Sequence, residues 1–242
     1  LDLAVECQGD PERTCPSLSS DRSALKAELE AIEGTDDWTA VTWIALDDER
    51  TLLGWIAAES DPDMGRVWWA GPFLADATAS LTPAVADALL SAGRRSMQDF
   101  AEHELAIDVR SNVLAHFAER NGFHSDEGSV ALRCADLRVS VPACTASIDV
   151  ADLSDADAIA LHDRVFPGTH STGERLFGQS GEQFDRFVAR IDGEVVGYVA
   201  TELQRDGALY IDFIGVSPTC RNQGVGRALV AAAMGTRTDE AT

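Results

Sequence analysis

A mixed α/β fold (α+β, with a mixed sheet), made of two similar halves, is predicted by three features of this 242-residue sequence. Strand and helix patterns alternate along it, one stretch recurs about 140 residues later, and its apolar runs have the length of core segments. Apolar-rich runs such as Ala84 to Leu90, interrupted by Asp87, or Leu229 to Met234 fall far short of the roughly 20 residues that cross a bilayer, so no membrane partner is expected. No stretch near Leu1 has the charged, apolar and small-residue order of a secretory signal, and the expected location is the cytoplasm.

Composition narrows the function further. With 45% hydrophobic and 25% charged residues, the chain has enough apolar side chains for a real core. Its formal charge of −22, from 41 acids against 19 bases, argues against a nucleic-acid footprint, which needs clustered Lys and Arg. The same charge draws in a cationic substrate such as an amine, or serves solubility alone; composition does not separate the two. Five cysteines, Cys7, Cys15, Cys134, Cys144 and Cys220, form an odd set without a C-x-x-C pair or a histidine at ligand spacing. Neither a zinc site nor a disulfide framework is expected from them.

The repeat sets the order of elements. Leu53-Gly54-Trp55-Ile56-Ala57 matches Val196-Gly197-Tyr198-Val199-Ala200, and each opens a predicted β-hairpin, over 51–74 and 194–216. A helix follows each hairpin. Over 81–96, Val85, Ala88, Leu89 and Ala92 fall at i, i+3, i+4, i+7 behind Thr82 as N-cap and Pro83 at the first helical position; over 221–234, Val225, Ala228 and Leu229 repeat the pattern. The first half continues through a predicted strand (103–110), a helix (112–122) and a strand (129–134). Residues 1–134 then form one domain, 135–145 a proline-containing linker and 146–242 a second domain, opened by a helix that a Ser154/Asp157 capping box starts and Phe166 ends. Residues 167–183, rich in Gly, Ser and Thr, read as a flexible loop or short helix beside a site.

The chemistry concentrates in IGVSPTCRNQGVGRALV, residues 214–230. A strand ends near Val216, Pro218 stops ladder pairing, and two glycines, Gly224 and Gly226, leave backbone N–H groups unshielded at a helix start. Such a start favours an anion through its amides and dipole, and Arg221 and Arg227 add two cations in an acidic chain. Read without context, the glycines equally serve close helix packing. The Walker lysine and the G-x-G-x-x-G spacing are both missing, which disfavours nucleoside triphosphates and dinucleotides.

Val216-Ser217-Pro218, then Arg221-Asn222-Gln223-Gly224-Val225-Gly226 and Arg227, resembles the acyl-CoA-binding motif of the GCN5-related N-acetyltransferases (GNAT), R/Q-x-x-G-x-G/A after a strand ending V-x-P. The resemblance implies acetyl-CoA or another acyl-CoA as cofactor. The amides of Gln223, Gly224, Val225, Gly226 and Arg227 would hold its pyrophosphate, and the backbone of the Ile214-Gly215-Val216 strand its pantetheine arm. It implies acyl transfer to a small-molecule or peptide amine of unknown identity. A base is then needed for the ammonium proton. Asp212, on the same strand, is the candidate base or ammonium anchor, against a solvated strand residue; alternation along 210–214 leaves its face open. His162 and His170 are alternative bases, and Tyr210 is placed in the core or on the surface.

In the first half Leu81, Pro83, Ala84, Ala86 and Asp87 stand where Arg221, Gln223, Gly224, Gly226 and Arg227 stand in the second, and each change opposes an anion. Asn112, Ala115, Gly122 and Phe123 outline a second family segment, with Phe117 near the place of its tyrosine acid. A tandem GNAT-like chain with a degenerate first domain is therefore expected. Its second domain reads as incomplete, because 43 residues separate Leu90 from Arg133 whereas 12 separate Val230 from Thr242. A non-catalytic acyl-CoA-binding or interaction module is the alternative. Oligomeric state is not legible.

Overall fold

In the computed structural model the described residues are 1–32, 35, 37–75, 82–125, 144–204 and 207–238. They fall into two compact units, Leu1–Ser129 and Val130–Thr242. The expected strand at 129–134 and most of the expected linker lie outside the described residues.

In the first unit, α1 (Asp2–Gln8) and α2 (Arg22–Glu30) precede β1 (Thr42–Leu46), β2 (Leu52–Asp61) and β3 (Arg66–Leu74); α3 (Thr82–Ser96), β4 (Glu102–Leu105) and α4 (Asn112–Arg120) follow. The sheet order is β1-β2-β3-β4, antiparallel except for the parallel β3/β4 pair. Alternation along β2 sends Ile56 and Ala58 into a core with α3 and α4, and Trp55 and Ala57 into a second core with α1 and α2. The predicted strand at 103–110 is cut to four residues. Past Leu105 the chain turns, with the Asp108 carboxylate accepting from the Arg110 N–H at 2.8 Å, and α4 begins two residues later.

The α3 core is tight enough to give a sharp expectation. A methyl group on Gly93 would meet the Trp69 ring at 2.6 and 2.7 Å and Trp43 at 3.2 Å, and Trp69 is itself held between Trp43 and the stacked His103. Ala is worth about 1 kcal/mol more than Gly inside a helix, yet overpacking costs about 1–3 kcal/mol. Gly93→Ala is therefore expected to lower the urea midpoint followed by tryptophan fluorescence. A raised midpoint would show that the two indoles can move aside.

In the second unit β5 (Ser147–Val150), α5 (Ala156–Val165) and α6 (Gly173–Gly178) precede β6 (Phe184–Ile191), β7 (Glu194–Leu203) and β8 (Leu209–Val216), and α7 (Val225–Thr238) closes it. The strands pair antiparallel in the order β5-β6-β7-β8. One face packs on α5 and α6 through Val188, Tyr198, Ala200 and Phe213; the other packs on α7 through Phe187, Ala189, Val199, Val225 and Leu229. The start of α5 corrects one expectation: its cap is Asp155, which accepts from the N–H groups of Asp157 and Ala158, while Ser154 sits one residue earlier at φ 64°.

Candidate active site

The end of β8 and the start of α7 form one continuous feature. The Ser217 N–H donates to the Val196 carbonyl at 2.8 Å, so Ser217 turns toward β7. By alternation, the N–H and C=O groups of Val216 and Ile214 lie on the outer edge of β8, the last strand of its sheet among the described residues. Arg221 Nε donates to the Val216 carbonyl there at 3.3 Å. Asn222 (φ 63°) and Gly224 (φ 83°) then bend the chain, and among the described residues the N–H groups of Gln223, Gly224, Val225, Gly226 and Arg227 find no acceptor. The next N–H, of Ala228, donates to the Gly224 carbonyl at 3.0 Å and starts the helical ladder. Arg221 and Arg227 are exposed, and the first turn of α7 carries no acid. Five unpaired donors with two cations beside them fit a diphosphate.

The corresponding stretch of the first unit has different chemistry. Asp87 is engaged by Arg120 at 2.8 and 2.9 Å and by Asn121 at 2.7 Å, and the Arg120 guanidinium holds its carboxyl below the usual carboxylate range. Pro83 has no N–H to offer, and Leu81 lies outside the described residues. Phe117 is buried in the core on the α3 side.

Asp212 owes its position to an irregularity that strict alternation hides. Ile211 pairs with Thr201 and Phe213 with Ala200, leaving Asp212 as the extra residue of a β-bulge. Ile211 and Phe213, two apart, consequently point to opposite faces: Ile211 packs on the α7 side and Phe213 on the α5/α6 side. Asp212 accepts from His170 Nε2 at 3.1 Å, which places its side chain with the α5–α6 loop. The His170 ring also stacks on Phe213, with centroids 4.7 Å apart and planes at 24°.

The other candidate base has no free nitrogen. His162 is fully buried, and its Nε2 donates to the Ser171 carbonyl at 2.9 Å. Its Nδ1 therefore accepts from the Tyr198 hydroxyl, at 2.6 Å. Burial pushes the Tyr198 phenol up, and the charges of Asp212 and Asp163 add to the effect. Tyr198, Ser171 and Phe213 are structural partners that sequence reading missed; only the aromatic at the centre of β7 signalled any of them. Tyr210 is half-exposed, and burial of its remainder, with Asp212 and Glu202 nearby, also raises its phenol. Arg186, buried between Leu176 and Gln179, donates Nε to the Leu176 carbonyl at 2.6 Å; burial lowers its guanidinium. Among the described residues no group of histidine, cysteine and acid side chains is placed to hold a metal ion, and no helix is long and apolar enough to span a membrane.

Residues 152–237 match the sequence model of the Acetyltransferase (GNAT) family. No curated protein matches the sequence. Among solved structures, a GCN5-related N-acetyltransferase from Sphaerobacter thermophilus is similar in fold, at 15% identity over 98% of this chain and 78% of its own, with a TM-score of 0.65. Partial likenesses include AAC(6')-Iy in complex with a CoA-containing bisubstrate analog (21% identity, 40% of this chain, 74% of its own, TM-score 0.35). Another is a ribosomal-protein-alanine N-acetyltransferase from Brucella melitensis (24%, 39%, 72%, 0.32). The loop, the bulged strand and all but the last residue of the helix after it lie inside the matched segment, so residues 152–237 are similar in sequence to the GNAT family, in a chain whose fold is similar to that of the Sphaerobacter protein.

Proposed function

We propose that this protein is an acyl-CoA-dependent N-acyltransferase that passes an acetyl group directly to an amine. The carrying observation is the row of five N–H groups at Gln223 to Arg227 that find no acceptor among the described residues, continuous with the outer edge of β8, where among them only the Arg221 side chain reaches the Val216 carbonyl, and flanked by Arg221 and Arg227. GNAT acetyltransferases use acetyl-CoA, which supplies the acyl group as an activated thioester. Here the amides and the two arginines take the diphosphate, and Ile214 and Val216 offer main-chain partners to the amide-bearing arm, as an added strand would.

Asp212 lies two residues before Ile214, about 7 Å along the strand, and with its partner His170 forms the acceptor side of the site, on the α5–α6 side. The acceptor is a small-molecule or peptide amine; a net charge of −22 favours the approach of a cation. The first unit is read as a relative of the second that has lost its donor site, because Asp87 is tied to Arg120 and would face a phosphate with like charge.

Two measurements test this reading. Calorimetric titration with acetyl-CoA is expected to give one binding site per chain. Thiol release in the presence of a panel of primary amines is expected to exceed the amine-free rate for at least one of them. Binding without release from any amine would leave an acyl-CoA-binding module, and no binding would overturn the proposal.

A further inference from the structure

Within that reading of the second unit, we propose that His170 is the base that takes the acceptor's proton, and that Asp212 is the positioning residue that orients it. A carboxylate only accepts, so the contact at 3.1 Å fixes the proton on His170 Nε2 and leaves Nδ1 of the neutral ring with its lone pair. The two side chains differ in access: His170 is 52% exposed and Asp212 22%. An incoming ammonium therefore reaches the imidazole more readily than the carboxylate behind it.

The surroundings hold the ring rather than leaving it to swing. Phe213 carries the His170 ring flat on one side and receives the edge of His162 at 4.7 Å and 83°. Ser171, the next residue, has its carbonyl gripped by His162 Nε2 at 2.9 Å, and Tyr198 fixes His162 in turn. Asp163 accepts from the Gly173 N–H at 2.7 Å just beyond. Three successive anchors thus pin the segment that bears His170, and the bulge delivers Asp212 to its Nε2. Nothing in a purely packing role requires a half-exposed imidazole to be so oriented with one nitrogen left open.

The proton balance is as follows. The ammonium R–NH3+ gives one proton to His170 Nδ1, forming imidazolium. The freed nitrogen pair attacks the thioester carbonyl carbon, the C–N bond forms and the C–S bond breaks with its electron pair going to sulfur. The second N–H proton ends on that sulfur as free thiol, and the imidazolium returns its proton to solvent. Products are the amide, the thiol and one proton.

The test uses the full chain with n-butylamine, spermidine and glycinamide as acceptors. His170→Gln keeps an N–H donor for Asp212 but has no base, and its kcat/KM is expected to fall about 100-fold or more with acetyl-CoA affinity unchanged. His170→Gly is expected to fall similarly and to be partly rescued by added imidazole. Asp212→Asn is expected to lower kcat more than it changes KM. Nitrogen-15 spectra of the ring, read without any turnover and at a pH where the imidazole is neutral, are expected to show the proton on Nε2, and a mixture of tautomers in Asp212→Asn. Glutamine activity within twofold of wild type, or a neutral ring protonated on Nδ1, would overturn the proposal. Failure of the wild-type chain to release thiol with any amine overturns the functional reading and the base role together; acetyl-CoA binding and the ring spectrum distinguish that from a failed dyad alone.

Discussion

Gly224→Glu is expected to weaken acetyl-CoA binding at least 100-fold, about 3 kcal/mol at 1.4 kcal/mol per decade. Two effects add. Gly224 sits at φ 83°, a left-handed conformation that costs a side-chain-bearing residue about 1–2 kcal/mol. A carboxylate there would also stand among the five N–H groups and meet the diphosphate with like charge, which costs several kcal/mol across an interface. Gly224→Asn separates the terms, since Asn tolerates the left-handed region and brings no charge; its loss should stay within about tenfold. Calorimetry on both variants, with circular dichroism to establish folding, makes the comparison. Equal binding by wild type and the glutamate variant would remove the loop from the donor site.

Gly215→Ala carries the second large effect, on stability. Its added methyl would lie 2.5 Å from Tyr198 Cε1 and 3.1 Å from Cζ. Tyr198 has nowhere to go: it is fully buried, bonded to His162 at 2.6 Å and packed edge-on to Phe177. Overpacking of about 1–3 kcal/mol adds to the roughly 1–3 kcal/mol for a strained or broken buried hydrogen bond, so a loss of about 3 kcal/mol is expected. It should appear as a lowered urea midpoint for the second unit, followed by exchange protection of β7 amides. Gly226→Ala is the control: its methyl would meet Val216 and Ile214 at 3.7 and 3.9 Å, ordinary contact, and no comparable loss is expected. A wild-type midpoint for Gly215→Ala would mean that the Tyr198–His162 contact is adjustable.

Local pattern was enough for the hairpins, the glycine loop and the helix after it, because alternation, turn residues and a proline stop act within a few residues of each other. The short flanking elements had no such signal. The helices α1 and α2 span seven and nine residues, and α2 buries only Leu25 and Leu29. The edge strands β1 and β5 run for five and four residues. At α5, adjacent Ser154 and Asp155 both suit a cap, and the choice rests on a backbone angle that no spacing reveals. The face of Asp212 was illegible for a related reason: period-two reasoning fails at a bulge, and this bulge falls on that residue. Its partner His170 is 42 positions away, in a loop without periodicity, so only the folded chain brings the two together.

The bulge also separates two jobs that a regular strand would tie together. A residue in register must satisfy a cross-strand neighbour as well as whatever it faces, whereas Asp212 has no opposite number on β7 to accommodate. Under the proposed function, an exchange at this one position acts on the contact with His170 while leaving the ladder, and the proposed donor edge further along β8, undisturbed. Tuning of His170 through position 212 is thus separable, under that same function, from the main-chain groups proposed to hold the acyl carrier.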